Sequence, residues 1–459
     1  MKIKRFIGRG INGYLNFDFR LNSDLTFITG INGTGKTSAI NAIVALLFPR
    51  LDYLSGENFK ELSLEIEVNK KEVVIQAIKN GDETQLRCSL YPDDLVLVAP
   101  FNEPDNMPPS RVKEFEDEFF KEQIGKNLKN PVMAFFDRLP TPMYLGLDRR
   151  SISIDPERLR YLRASPHRQI PTRRNIFARS LGQSLTEALI FAQEKFQDNR
   201  REASRVDAQF RERLVLELID FPPIAFSGGF DNPTSIELKR IEEARKNLKR
   251  LPQLLKVQSH VISEKVDPMF AFLDEKLKVL LKKRAKKKGS SEHEFDDERM
   301  SALFEWSFNK AQLTKINLIS KIVTEHHAES EKIFEKSNEF LETVNGFLQD
   351  SGKRLSFGSF GELIFTLNNE AEERDIRTLS SGEIQLIVIL THLYFNPEVE
   401  KANVFIIDEP ELSLHVQWQE KFVDGVMAAA QDTQFIMATH APSIILNRIS
   451  KCIEISQKS

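Results

Sequence analysis

The sequence has little cysteine and no long apolar run. Its only cysteines, Cys88 and Cys452, lie far apart and in no metal-ligand spacing, so we expect neither a disulfide framework nor a zinc site. No stretch approaches the ~18 consecutive apolar residues that a membrane span requires. No apolar signal-peptide core follows the first residues, Met1–Arg5. These absences predict a cytoplasmic protein that does not enter a membrane.

An excess of charge of one sign is also missing. The 64 Lys and Arg residues are nearly balanced by 67 Asp and Glu residues, which gives a net charge of -3. A globally basic nucleic-acid binder is therefore not indicated, although a local basic patch is still compatible with these numbers. With 41% hydrophobic and 29% charged residues, the composition is that of an ordinary globular protein. A length of 459 residues predicts two or three substructures.

The first part of the chain has the periodicity of strands. Three strand-like segments precede a glycine-rich turn and an apolar helix pattern at 38–48: Lys2–Ile7, Leu15–Arg20 and Leu25–Thr29. From Glu61 to Tyr91, apolar and polar residues alternate, and Asn80-Gly81 is a strong hairpin signal. We therefore expect an antiparallel subdomain here. Residues from about 100 to 180 hold scattered prolines and are not assigned to elements.

The middle of the chain, from about 181 to 350, is charged and has helical periodicity. One set of apolar residues recurs every seven positions: Ile241, Leu248, Leu255 and Ile262. A second set follows three-four spacing: Ile316, Ile319, Val323, Ile333, Phe340, Val344 and Phe347. Pro252 and Pro268 are expected to interrupt the first stretch. The basic run Lys282–Lys288 and the mostly acidic run Glu292–Glu298 flank a Gly-Ser-Ser turn, which predicts the tip of a helical arm.

One glycine-rich segment carries a specific chemical signal. Residues 30–37, Gly-Ile-Asn-Gly-Thr-Gly-Lys-Thr, match G-x-x-x-x-G-K-[ST] in full, after a strand pattern and before a helix pattern. In this context the backbone N–H groups converge on phosphate oxygens. Lys36 is expected to neutralise the β- and γ-phosphates of ATP, and the Thr37 hydroxyl to bind Mg²⁺. The alternative is a glycine turn that caps an ordinary helix. The predicted nucleotide ligands here are Gly30, Asn32, Gly33, Thr34, Gly35, Lys36, Thr37 and Ser38.

Two further segments gain significance from their position after this loop. The apolar strand Val404–Ile407 ends in Asp408 and Glu409, which predicts a magnesium ligand and a carboxylate that polarises water. By itself such a pair is equally compatible with a solvated strand end. Leu379–Glu383 is a small-residue turn at the start of an apolar helix, where anions bind. Alone it fits a capped helix. The predicted nucleotide ligands in this turn are Ser380, Ser381, Gly382 and Glu383.

Together these elements resemble the ABC ATPases of the SMC, RecF and overcoming-lysogenization-defect group, over about 1–60 and 353–459. The turn at 379–383 resembles the ABC signature, with Ser381 where glycine is commoner and Glu383 where glutamine is commoner. His440, after the apolar strand Phe435–Ala438, resembles the switch histidine that contacts the γ-phosphate, and Glu411–His415 resembles the interface D-loop. No convincing Q-loop is found; Arg149 and Arg150 occupy a plausible region but fit surface arginines better.

The resemblance implies an α/β fold: an ABC-type P-loop NTPase head, with a RecA-like sheet plus an antiparallel β subdomain, and an inserted helical coiled-coil arm. We expect lobe I at 1–180, the arm at 181–350 and lobe II at 351–459. It also implies ATP and Mg²⁺ as cofactors, and a head-to-tail dimer or higher homo-oligomer in which the signature of one subunit closes on the P-loop of another.

The long separation of the P-loop and the signature disfavours a transporter motor. His440 lies near the end of the sequence, so we expect no Toprim nuclease domain after it. The chain looks most like the ATPase subunits of the Septu antiphage systems, and next those of the PARIS systems. This implies a regulatory ATPase with a separate, H-N-H-type effector nuclease. The alternative is a DNA-repair or chromosome-maintenance ATPase that binds DNA directly, for which Lys282–Lys288 is the best contact candidate.

Overall fold

A computed structural model describes most of the chain. The described residues are 1–47, 51–98, 119, 122–123, 125–127, 129–140, 142–146, 181–219, 232–255, 258–281, 292–368 and 370–455. They form two compact units, one from Met1–Phe196 with Ser337–Ser459 and the other from Gln197–Lys336. The first unit contains all the described strands.

A five-stranded parallel sheet forms the centre of the first unit, in the order β14-β3-β13-β12-β8. Its strands are β3 (Leu25–Thr29), β8 (Met143–Leu145), β12 (Val404–Asp408), β13 (Gln434–Ala438) and β14 (Cys452–Glu454). Every residue of β12 and β13 is buried, as expected for parallel strands that are covered on both faces. In register, Asp408 pairs with Ala438 and Ala438 with Ile28, so three strands end at the same edge.

A six-stranded antiparallel sheet covers one side of this unit, in the order β2-β1-β4-β5-β6-β7. Its strands are β1 (Lys2–Ile11), β2 (Leu15–Arg20), β4 (Glu61–Val68), β5 (Lys71–Asn80), β6 (Glu83–Cys88) and β7 (Leu95–Val98). Helix α1 (Lys36–Leu47) shares one apolar core with this sheet and with Ile28, Ile406 and Ile436 of the central sheet. The core fixes the start of α1 beside the strand ends. Helices α2 (Leu51–Gly56) and α3 (Pro131–Arg138) complete this region.

The opposite face of the central sheet has its own apolar core, to which Phe27, Phe405 and Phe435 contribute. A small antiparallel sheet lies here, in the order β11-β10-β9. It is formed by β9 (Lys353–Phe357), β10 (Leu363–Leu367) and β11 (Arg374–Asp375). Four helices complete this part of the unit: α9 (Ser381–Phe395), α10 (Pro397–Ala402), α11 (Val416–Ala429) and α12 (Pro442–Ile445). Helix α9 is buried along almost its whole length.

In the second unit, all the regular elements of the described residues are helices. The chain enters it within α4 (Leu181–Ile219) and leaves it within α8 (Glu292–Leu348); between them lie α5 (Ser235–Leu248), α6 (Leu251–Leu255) and α7 (Ser259–Leu281). Trp306, Val323 and Leu273 are among the most buried residues of its core. Pro268 lies inside α7 and does not end it, so the expected interruption there is wrong. Pro252 lies in α6, a separate helix of five residues.

The predicted fold class is confirmed: a parallel sheet and an antiparallel β subdomain form an ABC-type P-loop NTPase head. The hairpin at Asn80-Gly81 is present, and Gly81 has the positive φ of 64° that such a turn favours. Strand β8, an edge strand of the central sheet, was not predicted. The domain boundaries at 180 and 350 and the coiled-coil character of the arm stay predictions. The expected arm tip at 282–291 and Arg149 and Arg150 lie outside the described residues.

Candidate nucleotide-binding site

The loop between β3 and α1 has a backbone that only glycine adopts easily. Gly30, Gly33 and Gly35 have φ values of 157°, 87° and 93°. A Cβ atom on Gly35 would lie 2.7 Å from Cδ1 of Leu15, and one on Gly30 would lie 2.8 Å from the carbonyl oxygen of Ile455. Gly33 has open space around it, so its requirement is conformational alone. The glycine spacing therefore reflects both backbone conformation and close packing against β2 and the residue after β14.

The Lys36 ammonium group is held inside this loop. Its side chain is buried, and Nζ donates hydrogen bonds to the carbonyl oxygens of Gly30 at 2.8 Å and Ile31 at 3.4 Å. The Thr34 hydroxyl also donates to the Ile31 oxygen, at 2.8 Å. Asn32 is exposed at the top of the loop, and Ser38 accepts a 3.4 Å hydrogen bond from Asn12. The loop thus holds the Lys36 charge at the N-terminus of α1, where a helix favours an anion such as phosphate.

Asp408 is the most unusual polar group at this edge of the sheet. It is 2% exposed, and neither carboxylate oxygen has a hydrogen-bond partner of normal geometry among the described residues. Burial raises its pKa to about 6; the Thr37 hydroxyl and the Lys36 charge lie near enough to oppose that rise, while Glu409 and Glu411 add to it. A buried carboxylate without a partner requires an explanation. A magnesium ion next to Thr37 and a bound phosphate fits, because Mg²⁺ takes few protein carboxylates and keeps oxygen ligands from phosphate and water.

Glu409 follows in a strained conformation. Its φ of 48° and ψ of 62° are left-handed, which is rare for a residue with a side chain, and its N–H donates to the Ala438 oxygen at 2.8 Å. The side chain is 17% exposed, and its Oε1 lies 3.8 Å from Nδ1 of His440. The turn therefore places the Glu409 carboxylate next to the predicted switch histidine, at the end of the two central strands.

A third carboxylate, Glu411, contacts the histidine more closely. Its side chain is 5% exposed, and its Oε1 accepts hydrogen bonds from the Thr439 hydroxyl at 2.8 Å and from the His440 backbone N–H at 2.9 Å. The same oxygen lies 3.0 Å from His440 Nδ1. The resemblance placed Glu411 in an interface loop, but its carboxylate is buried within the chain. Sequence reasoning missed this contact because Glu411 and His440 are far apart in the sequence. They meet only because the paired strands β12 and β13 end side by side.

The signature-like turn begins α9 with a complete capping box. The Ser380 hydroxyl accepts from the Glu383 N–H at 3.4 Å, and the Glu383 carboxylate accepts from the Ser380 N–H at 2.8 Å. Lys353 Nζ lies 2.7 Å and 3.0 Å from the two oxygens of Glu383. Ser380 and Ser381 are exposed, whereas Gly382 and Glu383 are buried. Lys353 is a second residue that sequence reasoning missed.

The structure thus brings one group of predicted residues together and leaves another apart. Thr37 and Lys36 of the P-loop lie near Asp408, and Glu409 and His440 lie beside them. The hydrogen bonds and ion pairs described for the turn at 379–383 lead to adjacent residues of the chain or to Lys353, and none reaches the P-loop. Within the described residues, no group of three or more His, Cys, Asp or Glu side chains could hold a metal ion.

These elements define a class of protein: an ABC-type P-loop NTPase, with a nucleotide loop after β3 and an acidic strand end on β12. The chain is matched over residues 184–447, more than half of its length, by the family described as "AAA domain, putative AbiEii toxin, Type IV TA system". The chain belongs to this family. The match includes Ser380, Asp408, Glu409 and His440, and it begins after the P-loop.

A further comparison concerns an individual protein. The chain is 28% identical over 123 residues to the "Retron Vc95 probable ATPase" of Vibrio cholerae serotype O1 biovar El Tor. This alignment spans 25% of the chain and about a quarter (24%) of that relative's length.

Solved structures of Smc head domains are more distant. The head domain with an extended coiled coil from Pyrococcus furiosus is 14% identical, with a TM-score of 0.39 over 99% of this chain and 93% of that one. The head domain with a coiled coil and joint from Pyrococcus yayanosii is 14% identical, with a TM-score of 0.37 over 99% and 94%. The sheet topology and the site define the class of protein independently of these scores. None of the helices in the described part of the chain is both long and apolar enough to cross a membrane.

Proposed function

We propose that this chain binds and hydrolyses ATP. The observation that carries the proposal is Asp408: a buried carboxylate without a hydrogen-bond partner of normal geometry among the described residues, near the Thr37 hydroxyl at the foot of a P-loop. Its desolvation is costly unless a cation is bound there.

The residues of the site divide the chemistry among them. Lys36 binds the β- and γ-phosphates, while Thr37 and Asp408 hold Mg²⁺, which neutralises charge on the phosphate oxygens when bound. Glu409 accepts a proton from, or polarises, the attacking water. His440 lies next to Glu409, and it would contact the terminal phosphate, as the resemblance implies. These roles match the resemblance to ABC ATPases and the geometry of the strand ends.

We further propose that two copies close head to tail on the nucleotide, with Ser380, Ser381, Gly382 and Glu383 of one copy facing the P-loop of the other. Three apolar side chains around the site are exposed in the single chain: Ile31 by 83%, Leu412 by 50% and Val416 by 59%. Exposed apolar groups beside a site favour an interface there. The exposed Ser380 and Ser381 hydroxyls supply the polar side of that interface.

The wider role that we propose is that of a regulatory, cytoplasmic ATPase subunit of a bacterial antiphage system, like those of Septu or PARIS systems, which controls a separate H-N-H-type effector nuclease. Membership of the family and the similarity to an ATPase named for a retron favour this setting. Closure on ATP supplies a conformational change, and a partner that binds the open and closed forms differently converts that change into control.

The test uses the full chain expressed with and without the product of its neighbouring gene. We expect phosphate release from ATP that requires Mg²⁺, stable co-purification with the neighbour, and nuclease activity that depends on the bound nucleotide. ATP turnover at the buffer rate contradicts the ATPase proposal. Metal-dependent cleavage of DNA or RNA by the isolated chain, without any co-purifying partner, contradicts the regulatory proposal but leaves the ATPase intact.

The second candidate is a DNA-repair or chromosome-maintenance ATPase that binds DNA itself. The basic run Lys282–Lys288 favours it, since five lysines and one arginine are clustered there. Replacing these residues with glutamine should weaken DNA binding and flatten its dependence on salt. An unchanged salt dependence contradicts DNA contact at this run.

A further inference from the structure

We propose that Glu411 is a positioning residue for ATP hydrolysis: its carboxylate holds His440 at Nδ1 and at the backbone N–H, so that Nε2 faces the nucleotide. This inference rests on the proposed ATPase function. It assigns a task to a carboxylate that neither the P-loop motif nor the Asp408-Glu409 pair explains.

The hydrogen bonds around Glu411 converge on one short segment. Oε1 accepts from the Thr439 hydroxyl at 2.8 Å and the His440 N–H at 2.9 Å, and it lies 3.0 Å from the His440 ring. Thr439 Oγ1 in turn accepts from the Ala441 N–H at 3.0 Å. A single carboxylate oxygen therefore determines where the chain leaves β13 and how the imidazole is oriented.

The backbone of Glu411 is fixed independently of its side chain. Gln419 Nε2, on α11, donates to the carbonyl oxygens of Glu411 at 3.1 Å and Leu414 at 2.9 Å. Ser443 donates from its hydroxyl to the Gln419 side-chain oxygen. The short turn after Glu409 is thus held from both sides, and the carboxylate has little freedom to move away from His440.

The remaining oxygen of Glu411 indicates that packing alone does not explain this residue. Oε2 is buried and has no hydrogen-bond partner among the described residues. Burying a carboxylate costs stability. If Glu411 had only a structural task, a neutral residue of similar shape could take its place with little loss of stability. A carboxylate is the acceptor that suits an imidazole N–H, and fixing one ring nitrogen decides what the other can do.

The geometry of imidazole determines where the second ring nitrogen of His440 points. Nδ1 and Nε2 lie on opposite edges of the ring, so a His440 that turns Nδ1 toward Glu411 turns Nε2 away from it. Glu409 Oε1 lies 3.8 Å from the same Nδ1, farther than Glu411 Oε1 at 3.0 Å. Glu411 is therefore the carboxylate that holds the ring at Nδ1.

The experiment compares Glu411→Gln, His440→Asn and the double variant in full-length protein. Glu411→Gln should lower kcat by roughly 10²-fold while the KM for ATP stays near the wild-type value, because a displaced catalytic group costs rate more than binding. In the His440→Asn background, Glu411→Gln should lower kcat by no more than about twofold, because the two substitutions remove the same interaction, that between Glu411 and His440. Glu420→Gln, an exposed carboxylate on α11, is the matched control and should retain wild-type kinetics.

Equal losses in both backgrounds, or a change in KM alone, contradict the positioning role. A second readout does not depend on activity: ¹⁵N spectra of ring-labelled histidine, with His440 assigned from the His440→Asn spectrum. Nδ1 of His440 should carry a proton in the wild type, and its resonance should move in Glu411→Gln. An unprotonated Nδ1 in the wild type overturns the inference, even if Glu411→Gln does not fold. If the wild type hydrolyses no ATP, the proposed function is wrong. The spectra then still test whether the Glu411 carboxylate holds Nδ1 of His440.

Discussion

The ion pair between Lys353 and Glu383 is a test of how the signature-like turn is built. Glu383 is almost fully buried, with its side chain 4% exposed, whereas Lys353 is 24% exposed. Lys353 is the first residue of β9, and Glu383 lies in the first turn of α9. Replacing Lys353 with methionine keeps the length of the side chain but leaves the carboxylate buried with only the Ser380 groups as donors.

The cost follows from this burial. Removing one partner from a fully buried pair costs ~3–5 kcal/mol, and a hydrogen bond to a charged group is worth ~1.5–3 kcal/mol. Because water reaches Lys353, the pair is not fully buried, and the smaller range, for a hydrogen bond to a charged group, applies. We expect a loss of about 2 kcal/mol in the stability of the start of α9. Where exchange follows the opening equilibrium, that loss corresponds to roughly thirtyfold faster amide exchange in this turn. Adding Glu383→Gln should restore at least about half of the loss, since glutamine also completes a capping box.

The assay is native-state hydrogen exchange of the α9 amides in the wild type, both single variants and the double variant. Burial by itself raises the pKa of Glu383, but the hydrogen bonds from Lys353 and Ser380 bring it below its usual value. The stabilisation is therefore present above the unfolded pKa of about 4.3 and is lost as the pH falls through the lower folded pKa. The difference between Lys353→Met and wild type should shrink in acid. If Glu383→Gln gives no rescue, or the difference is the same at every pH, the ion-pair explanation is refuted.

Three other substitutions test the site itself. Lys36→Ala should abolish binding of a fluorescent ATP analogue without unfolding the chain, because it removes the charge that the phosphates require; equal affinity in both proteins would refute the P-loop assignment. Glu409→Gln should retain ATP and slow hydrolysis by ~10²-fold or more, so that the closed dimer accumulates in size-exclusion chromatography, and an unchanged rate would exclude Glu409 as the base. Gly35→Ala should destabilise the protein by about 2 kcal/mol more than Gly33→Ala, because only the former contacts Leu15; equal shifts in thermal unfolding would contradict the packing argument.

Local sequence predicted much of the head because its signals are local. The P-loop needs glycines at fixed positions, and the backbone at Gly30, Gly33 and Gly35 has the positive φ values that the spacing indicates. The buried strands β12 and β13 are continuous apolar runs, which need no knowledge of their neighbours. Strand β8 is different, because Met143–Leu145 becomes a strand only by pairing with β12. A three-residue segment carries too little periodicity to reveal such a partner.

The contacts that orient the site are the part that sequence does not reveal, and the reason is topological. Parallel strands place residues that are far apart in the chain at one edge, so Thr37, Asp408 and His440 meet only once the register of β3, β13 and β12 is set. Glu411 reads locally as one polar residue in a loop, and nothing near it in sequence distinguishes an interface carboxylate from a buried one. Its carboxylate is buried against Thr439, the residue after the neighbouring strand β13, whose hydroxyl donates to Oε1 at 2.8 Å. A motif can thus predict which residues act on a nucleotide, while the residues that hold them in place follow from strand order and register.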